Sequence, residues 1–417
     1  MNDEFYMNLA INEAWKYQIL TYPNPAVGCV IVDKFGKILA IKAHQKAGLA
    51  HAELSAVISA FEAKFKDTSL PKNPSKAYEY ILANHDGFLN GAKAFVTLEP
   101  CSHHGKTPPC ANLLNKLGFS EVIIGSYDNT DAASGGGKLL QKNGVKVKFG
   151  ILKERCDELL APFLAWQSGN FSFLKLGMSL NGVVSGGVIT GLGARVLVHK
   201  IRSVLPLLAI GGNTVRIDRP TLDSRLANGI YKTYDAVKTD ENECKIGELV
   251  CSDYETNIRA FDEKYPSKVN KKNYKTDSNS QKIDSSFCQT NDTFYKTHNA
   301  NTFEVADTYK THSTHNPDVF IYSRQKEFDK TIPLFSIAKR KVIIGDDIKF
   351  VRSYPLCMFE GGQNLLANLP EFVEYVLIFF APNFLNLANL SANLKLKLLN
   401  LCEIDGEFYG WFKIVKK

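Results

Sequence analysis

The stretch 97-TLEPCSHHGKTPPC-110, read together with 51-HAE-53, decides the fold of this chain. Two cysteines, two adjacent histidines and three prolines crowd one short turn, too polar for a core and too constrained for a linker. His51, Cys101 and Cys110 supply one imidazole and two potential thiolates. Zinc held by three protein ligands keeps a fourth position for water, the arrangement of a catalytic site. His51 and Cys110 both fall where helices are predicted to begin, and the partial positive charge of a helix N-terminus favours a thiolate. Pro109 suits a first helical turn, where its missing N–H is not needed. Glu53 lies two residues past His51, close enough to move a proton for the reaction without being a ligand itself. Each piece alone has a plain reading: a His-x-Glu opening a helix is usually surface decoration, and a cysteine pair is usually buried thiols. Together and in this order they predict one zinc per chain. A purely structural zinc would need a fourth protein ligand, and the motif offers none.

Outward from this loop, the first 150 residues alternate strand and helix signals. A helix over roughly residues 4–20, with Phe5, Leu9 and Ile11 among its apolar positions, precedes the apolar run 27-VGCVIV-32 and a short strand near Ile38–Ile41. A helix starts at His51, with Leu54, Val57, Ile58 and Phe61 at helical spacing. The segment 67-DTSLPKNPSKAYEY-80 reads as a polar surface insertion. Then come the buried strand 94-AFVTL-98, a helix opening at Pro108-Pro109, the strand 121-EVIIGS-126, a Gly-rich turn with a helix, and 145-VKVKF-149. This alternation predicts a three-layer α/β domain over residues 1–150. The glycines 135-GGGK-138 lack the earlier Gly and the following Ser or Thr of a phosphate loop and read as a turn.

A helix near Lys153–Trp166, within a connector at 151–170, leads into a second α/β pattern over 171–417. It carries 173-FLKLGMSLNG-182, 203-SVLPLLAIGG-212, 318-DVFIYS-323, 341-KVIIG-345 and 357-CMFEGGQNLL-366. Residues from about 229 to 316 interrupt it, rich in Lys, Asn, Asp, Ser and Thr. Tyr-Lys-Thr recurs there at irregular spacing, which argues against a solenoid. We expect a low-complexity, disordered insertion, because so little apolar area cannot offset its ordering entropy.

The 417 residues, 45% hydrophobic and 22% charged, suffice for two or three domains. A net charge of +7 without a block of consecutive Lys or Arg argues against a dedicated nucleic-acid binder and suits small phosphorylated substrates. The acidic N-terminus lacks the pattern of a signal peptide, and 373-VEYVLIFFAP-382, broken by Glu374, reads as a buried strand, so no membrane partner is expected. Nine scattered cysteines argue against a disulfide framework and for a cytoplasmic protein with reduced thiols.

Zinc deaminases carry H-x-E…P-C-x-x-C. Here His51-Ala52-Glu53 and Pro100-Cys101 match, but eight residues separate the cysteines instead of two, so 102-SHHGKTPP-109 is an insertion between ligands. With 22-YPNPAVGCVIV-32 and 44-HQKAG-48, these motifs resemble the N-terminal half of the bifunctional riboflavin biosynthesis deaminase-reductases. The resemblance covers about 150 residues and continues more weakly to the C-terminus. It implies a cytidine-deaminase-like domain that removes the 2-amino group of a phosphoribosylamino-diaminopyrimidinone. It also implies that Asn24, His44, His103 and Lys106 contact base, ribose or phosphate. Where the family usually has Asp-Pro-Asn-Pro, this chain reads 128-DNTD-131, and Asp128 is carried over weakly.

In the second half no single motif is diagnostic from its chemistry alone. Lys175, 207-LLAIGGNTVRIDRPTLDSR-225 and 359-FEGGQNLL-366 resemble the reductase half of the same family, which is dihydrofolate-reductase-like in fold. That implies NADPH delivering a hydride to turn the ribosyl group into a ribityl chain. By this resemblance Gly177, Val188, Thr190, Thr214, Asp218, Gly361, Gly362 and Asn364 contact the cofactor. Lys175, Arg202, Leu222, Arg225 and Glu360 contact the substrate, arginine suiting a sugar phosphate through its planar fork. The chain departs from the family at 179-SLNG-182, at a shortened 185-SGGVIT-190 and at 218-DRP-220. These departures leave open a C-terminal domain that binds without reducing. A nucleic-acid-editing deaminase is a further alternative, opposed by the absent basic stripe. The oligomeric state, a homo-oligomer included, stays open.

Overall fold

The computed structural model describes residues 2–103, 108–128, 135–228 and 315–416. Lys106 and all of the expected insertion except His315 and Asn316 lie outside the described residues. The described residues belong to one compact unit, Met1–Gly229 with His312–Lys417. No helix among them is long and apolar enough to cross a membrane.

The first sheet has five strands, β1 (Gly28–Val32), β2 (Ile38–Ala43), β3 (Lys93–Leu98), β4 (Glu121–Ser126) and β5 (Lys146–Phe149). Their order is β2-β1-β3-β4-β5, with β1 antiparallel to both neighbours and β3, β4 and β5 parallel. Every residue of β1 and β4 is buried, as expected for central strands covered on both faces. On one face lie α2 (Ala52–Phe65), α3 (Pro74–Asn84), α4 (Cys110–Lys116) and α5 (Gly136–Lys142), around a core including Leu54, Phe61, Ile81, Leu113 and Leu140. On the other lie α1 (Asp3–Trp15) and α6 (Lys153–Ser168). The three-layer expectation holds.

Two expectations need correction. The segment 67–80 is not simply a polar insertion, because α3 begins inside it. Asn73 caps the helix by accepting the Lys76 N–H, Pro74 starts it, and Ala77, Tyr78 and Ile81 are buried. The N-terminal helix ends at Trp15 rather than near residue 20, and its expected apolar position Phe5 is 42% exposed. The expected Ile11 is fully buried, and so are Met7, Ala10 and Ala14, because the helix is enclosed between two sheets.

The second sheet has β6 (Phe171–Ser179), β7 (Leu207–Gly211), β8 (Asp318–Tyr322), β9 (Val342–Gly345), β10 (Leu356–Glu360), β11 (Tyr375–Ala381), β12 (Lys395–Ile404) and β13 (Glu407–Val415). Its order is β12-β13-β11-β6-β10-β7-β8-β9. Six strands run parallel, and the β12–β13 hairpin adds an antiparallel edge. Helix α7 (Leu192–Arg202), which the sequence reading passed over, packs Ala194, Leu197 and Ile201 into the same core as α1 and α6. A short helix α8 (Gly212–Asp218) follows β7.

Candidate zinc centre and adjoining cleft

Three local structures bring the predicted ligands together. His51 is the N-cap of α2, and its side chain makes no capping bond, leaving the imidazole to turn elsewhere. Cys101 ends the loop after β3, and Cys110 is the first residue of α4. His51 Nδ1 lies 3.7 Å from the sulfur of Cys101 and 3.7 Å from that of Cys110. All three ligand atoms lie within 4.8 Å of one another. A tetrahedral zinc with ordinary Zn–S and Zn–N bonds sets its ligand atoms roughly 3.6 Å apart, so the triad fits that ion. The Cys101 sulfur also accepts the backbone N–H of Cys110, at 3.4 Å. Donors from Cys110 and His51 pull the Cys101 thiol down, while Cys110, sharing the same proton, is pushed up. Cys101 hydrogen-bonding raises His51 in turn.

Glu53, in the first turn of α2, is 4% exposed. Burial and the nearby Cys101 charge raise its carboxyl to about 7. A carboxyl poised near neutrality can both take up and release a proton.

Around this triad the structure places residues that the motifs alone did not interpret. Glu99, buried between β3 and Pro100, accepts the N–H of Gly137 at 2.9 Å and of Asp128 at 3.3 Å. This carboxylate ties the start of α5 to the ligand loop. Gly135 begins that contact at φ +95°, and a Cβ on Gly136 would meet the Pro100 carbonyl oxygen at 1.8 Å. The 135-GGGK-138 run is therefore the tight seat of a helix on the ligand loop. Tyr78 of α3 donates to the Pro109 carbonyl at 3.4 Å, so the missed helix braces the second cysteine. Glu99 was visible within Thr-Leu-Glu-Pro-Cys; Tyr78 had no such signal.

Of the residues expected at the substrate, Asn24 Nδ2 lies 3.1 Å from His44 Nε2, and the His44 ring stands edge-on to His51 at 5.6 Å. Burial is the first cause pushing His44 down to about 4. His103 is exposed, and Asp128 is half-buried.

In the second half, a cleft of about 310 Å³ opens at the C-terminal ends of the parallel strands. Lys175, Arg202, Leu222 and Glu360, which the resemblance assigns to the substrate, line it. Gly177, Val188, Thr190, Thr214, Asp218, Gly361 and Gly362 line it too. Arg225 and Asn364 are exposed and are not among the lining residues. Parallel pairing of β6 with β10 sets Lys175 beside Glu360. Lys175 Nζ reaches Glu360 at 2.9 Å, and Arg202 grips the same carboxylate through Nε and Nη2, each at 2.8 Å. Burial alone would raise Glu360, but Arg202 and Lys175 hold it far below the carboxylate range. Leu222 adopts φ +56°, and its carbonyl and that of Thr221 accept the Arg340 guanidinium. Thr190, Thr214 and the open space beside Gly187 suit a cofactor that approaches backbone closely.

These geometries define a class, the cytidine-deaminase-like zinc enzymes. Residues 1–126 match the family model described as the cytidine and deoxycytidylate deaminase zinc-binding region. A diaminohydroxyphosphoribosylamino-pyrimidine deaminase of Buchnera aphidicola is 39% identical over 178 residues, covering 42% of this chain and 99% of that protein. The chain belongs to the family of diaminohydroxyphosphoribosylamino-pyrimidine deaminases. The riboflavin biosynthesis protein RibD of Actinobacillus pleuropneumoniae is 38% identical over 236 residues, 55% of this chain and 56% of that one. The chain thus spans just over half the length of such curated relatives. A deaminase/uracil reductase structure from Thermotoga maritima shares the fold, with a TM-score of 0.51 at 23% identity over 99% of both chains. The expected fold class, a deaminase-like domain followed by a dihydrofolate-reductase-like one, holds.

Proposed function

We propose that the chain hydrolytically deaminates 2,5-diamino-6-(5-phosphoribosylamino)pyrimidin-4(3H)-one and then reduces the ribosyl group of the product to ribityl with NADPH. The observation that carries the first step is the His51–Cys101–Cys110 triad with Glu53 buried beside it. Zinc held there supplies Lewis-acid chemistry to the hydrolysis. Glu53 takes the proton from the attacking water and returns it to the departing amine. His51, Cys101 and Cys110 hold the ion, and Glu99 and Tyr78 keep the ligand loops in place. Asn24, His103 and Lys106 are assigned to the substrate, whose phosphate suits a basic, cytoplasmic protein with reduced thiols. Deaminase chemistry is assigned to residues 1–150 and reduction to residues 171–417.

For the second step, Thr190, Thr214, Asp218 and the glycines of the cleft would hold NADPH, which supplies the hydride. Lys175, Arg202 and Glu360 would hold the sugar. One observation favours a second reading, a C-terminal half that binds without reducing. Both cleft cations are committed to Glu360, which leaves them less charge to offer a phosphate. Mass spectrometry of the zinc-loaded protein with the diaminopyrimidinone tests both steps. Exchange of amine for oxygen without NADPH, and a further gain of two hydrogens with it (the hydride and a proton from solvent), is expected. Deamination with no reduction would establish the second reading, and no deamination would overturn the first.

A further inference from the structure

His44 has no ring nitrogen to spare. Its Nδ1 lies 3.0 Å from the Ala50 carbonyl oxygen, which can only accept, so Nδ1 carries the proton. In the neutral ring Nε2 is then a bare lone pair, and the group it faces must donate. That group is the Asn24 amide, at 3.1 Å. The amide therefore turns its NH2 to His44, and among the described residues Oδ1 has no partner. His44 is 3% exposed, whereas Asn24 is half-buried, so of the two it is Asn24 that a small molecule can touch. The backbone of Asn24 is fixed as well: its N–H donates to the Thr21 carbonyl at 2.8 Å, and its carbonyl accepts the Thr21 hydroxyl at 2.9 Å. The remaining freedom is the amide flip, and His44 removes it.

We propose that His44 is a positioning residue that acts through Asn24, fixing the amide so that Oδ1 is the acceptor presented to an N–H of the pyrimidinone. The relay runs from the Ala50 carbonyl, adjacent to the ligand His51, through the His44 tautomer to the Asn24 amide. It rests on the deaminase reading above and refines how the base is recognised. A flipped amide would present NH2 where an acceptor is needed, and a misplaced polar group at such a contact discriminates strongly.

The test is a double-mutant cycle on the zinc-loaded full chain with the diaminopyrimidinone as substrate. Asn24→Ala and His44→Leu should each lower kcat/KM roughly tenfold, mainly through KM, with zinc content unchanged. The double variant should be no worse than Asn24→Ala alone, since His44 would have nothing left to position. Additive losses would show that His44 meets the substrate itself, and loss of zinc from His44→Leu would make it a support of the metal; either overturns the proposal. Should His44→Leu fail to fold, His44→Gln, which keeps an acceptor near the Nε2 position, should retain most of the activity. Nitrogen-15 NMR of the resting protein gives a readout independent of turnover. The proton should reside on Nδ1 of His44, and a proton on Nε2 would refute the relay. If the wild type fails to deaminate, the parent reading falls while the NMR result still decides the tautomer.

Discussion

Glu53 sits against the three predicted ligands His51, Cys101 and Cys110 and is not among the residues lining the second sheet's cleft. Glu53→Gln keeps the shape and the metal but removes the proton carrier. Deamination should fall by about 10²–10⁴-fold, while the variant still oxidises NADPH when given the deaminated uracil directly. Parallel loss of both reactions in a folded variant would mean the sites are not independent. Cys101→Ser and Cys110→Ser should each lose the zinc, read by metal analysis after dialysis; full occupancy in both would refute the ligand assignment. Next to the cleft residues Arg202 and Glu360, pH is the probe. Burial pushes His199 down to about 3 from 6.5, among Arg202, Arg225, Arg195, Glu360 and Asp223, and its Nδ1 accepts the Leu226 N–H. The unfolded chain then binds the extra proton between those values, so stability present above pH 6.5 is lost as pH falls. Glu360, held low in the fold, acts in the same direction at lower pH. His199→Asn, which can keep an acceptor for Leu226, should flatten the fall of Tm between pH 6.5 and 4.5; an unchanged slope would exclude His199 as its source.

Among the elements, those whose signal is local were legible from sequence, and those made by distant strands were not. His51, Glu53, Cys101 and Cys110 declare themselves because each opens or precedes a helix with its own spacing. The apolar runs behind β1, β3, β4 and β11 stand out because buried strands are continuously hydrophobic. Helix α3 stayed hidden because Lys72, Asn73, Ser75 and Lys76 dilute its three buried positions. The Lys175–Glu360–Arg202 cluster could not be derived from spacing, since it forms when β6 and β10 pair across most of the second half. The same long-range logic governs the break in the second sheet. Ser224 N–H donates to Asn316 Oδ1 at 2.9 Å and its hydroxyl to the His315 carbonyl at 2.8 Å. His315 in turn bonds the Leu205 carbonyl at 3.0 Å. The chain thus leaves and re-enters the sheet at one tied point. Replacing residues 229–314 by a short Gly/Ser linker should leave Tm and both activities near wild type. Loss of either activity by more than about tenfold would assign that segment a role in the sites.

Across the whole molecule, the two sheets share one interior. Helices α1 and α6 lie in a core that runs from Val30, Phe95 and Ile123 of the first sheet to Phe173, Leu377 and Trp411 of the second. Trp15 of α1 meets Trp411 of β13 at 6.2 Å, and Trp411 meets Phe173 of β6 at 5.1 Å. Trp166 of α6 packs edge-on against Phe171 and donates its indole N–H to the Pro23 carbonyl, just before Asn24. Gln18 adds a bond to the Leu159 carbonyl at 2.8 Å within this layer. Two halves built on such a layer cannot lose it separately, because the helices that cover the back of the first sheet also cover the second. Trp411 is 2% exposed, so Trp411→Ala removes a large, fully enclosed side chain and should cost about 3–5 kcal/mol. The loss should reach the distant half as well. Thermal unfolding of the zinc-loaded variant should show one transition at lower temperature, with deaminase activity and reductase-side cofactor binding disappearing together. Two separated transitions, with deamination surviving at the wild-type temperature, would show that the shared core does not couple the halves.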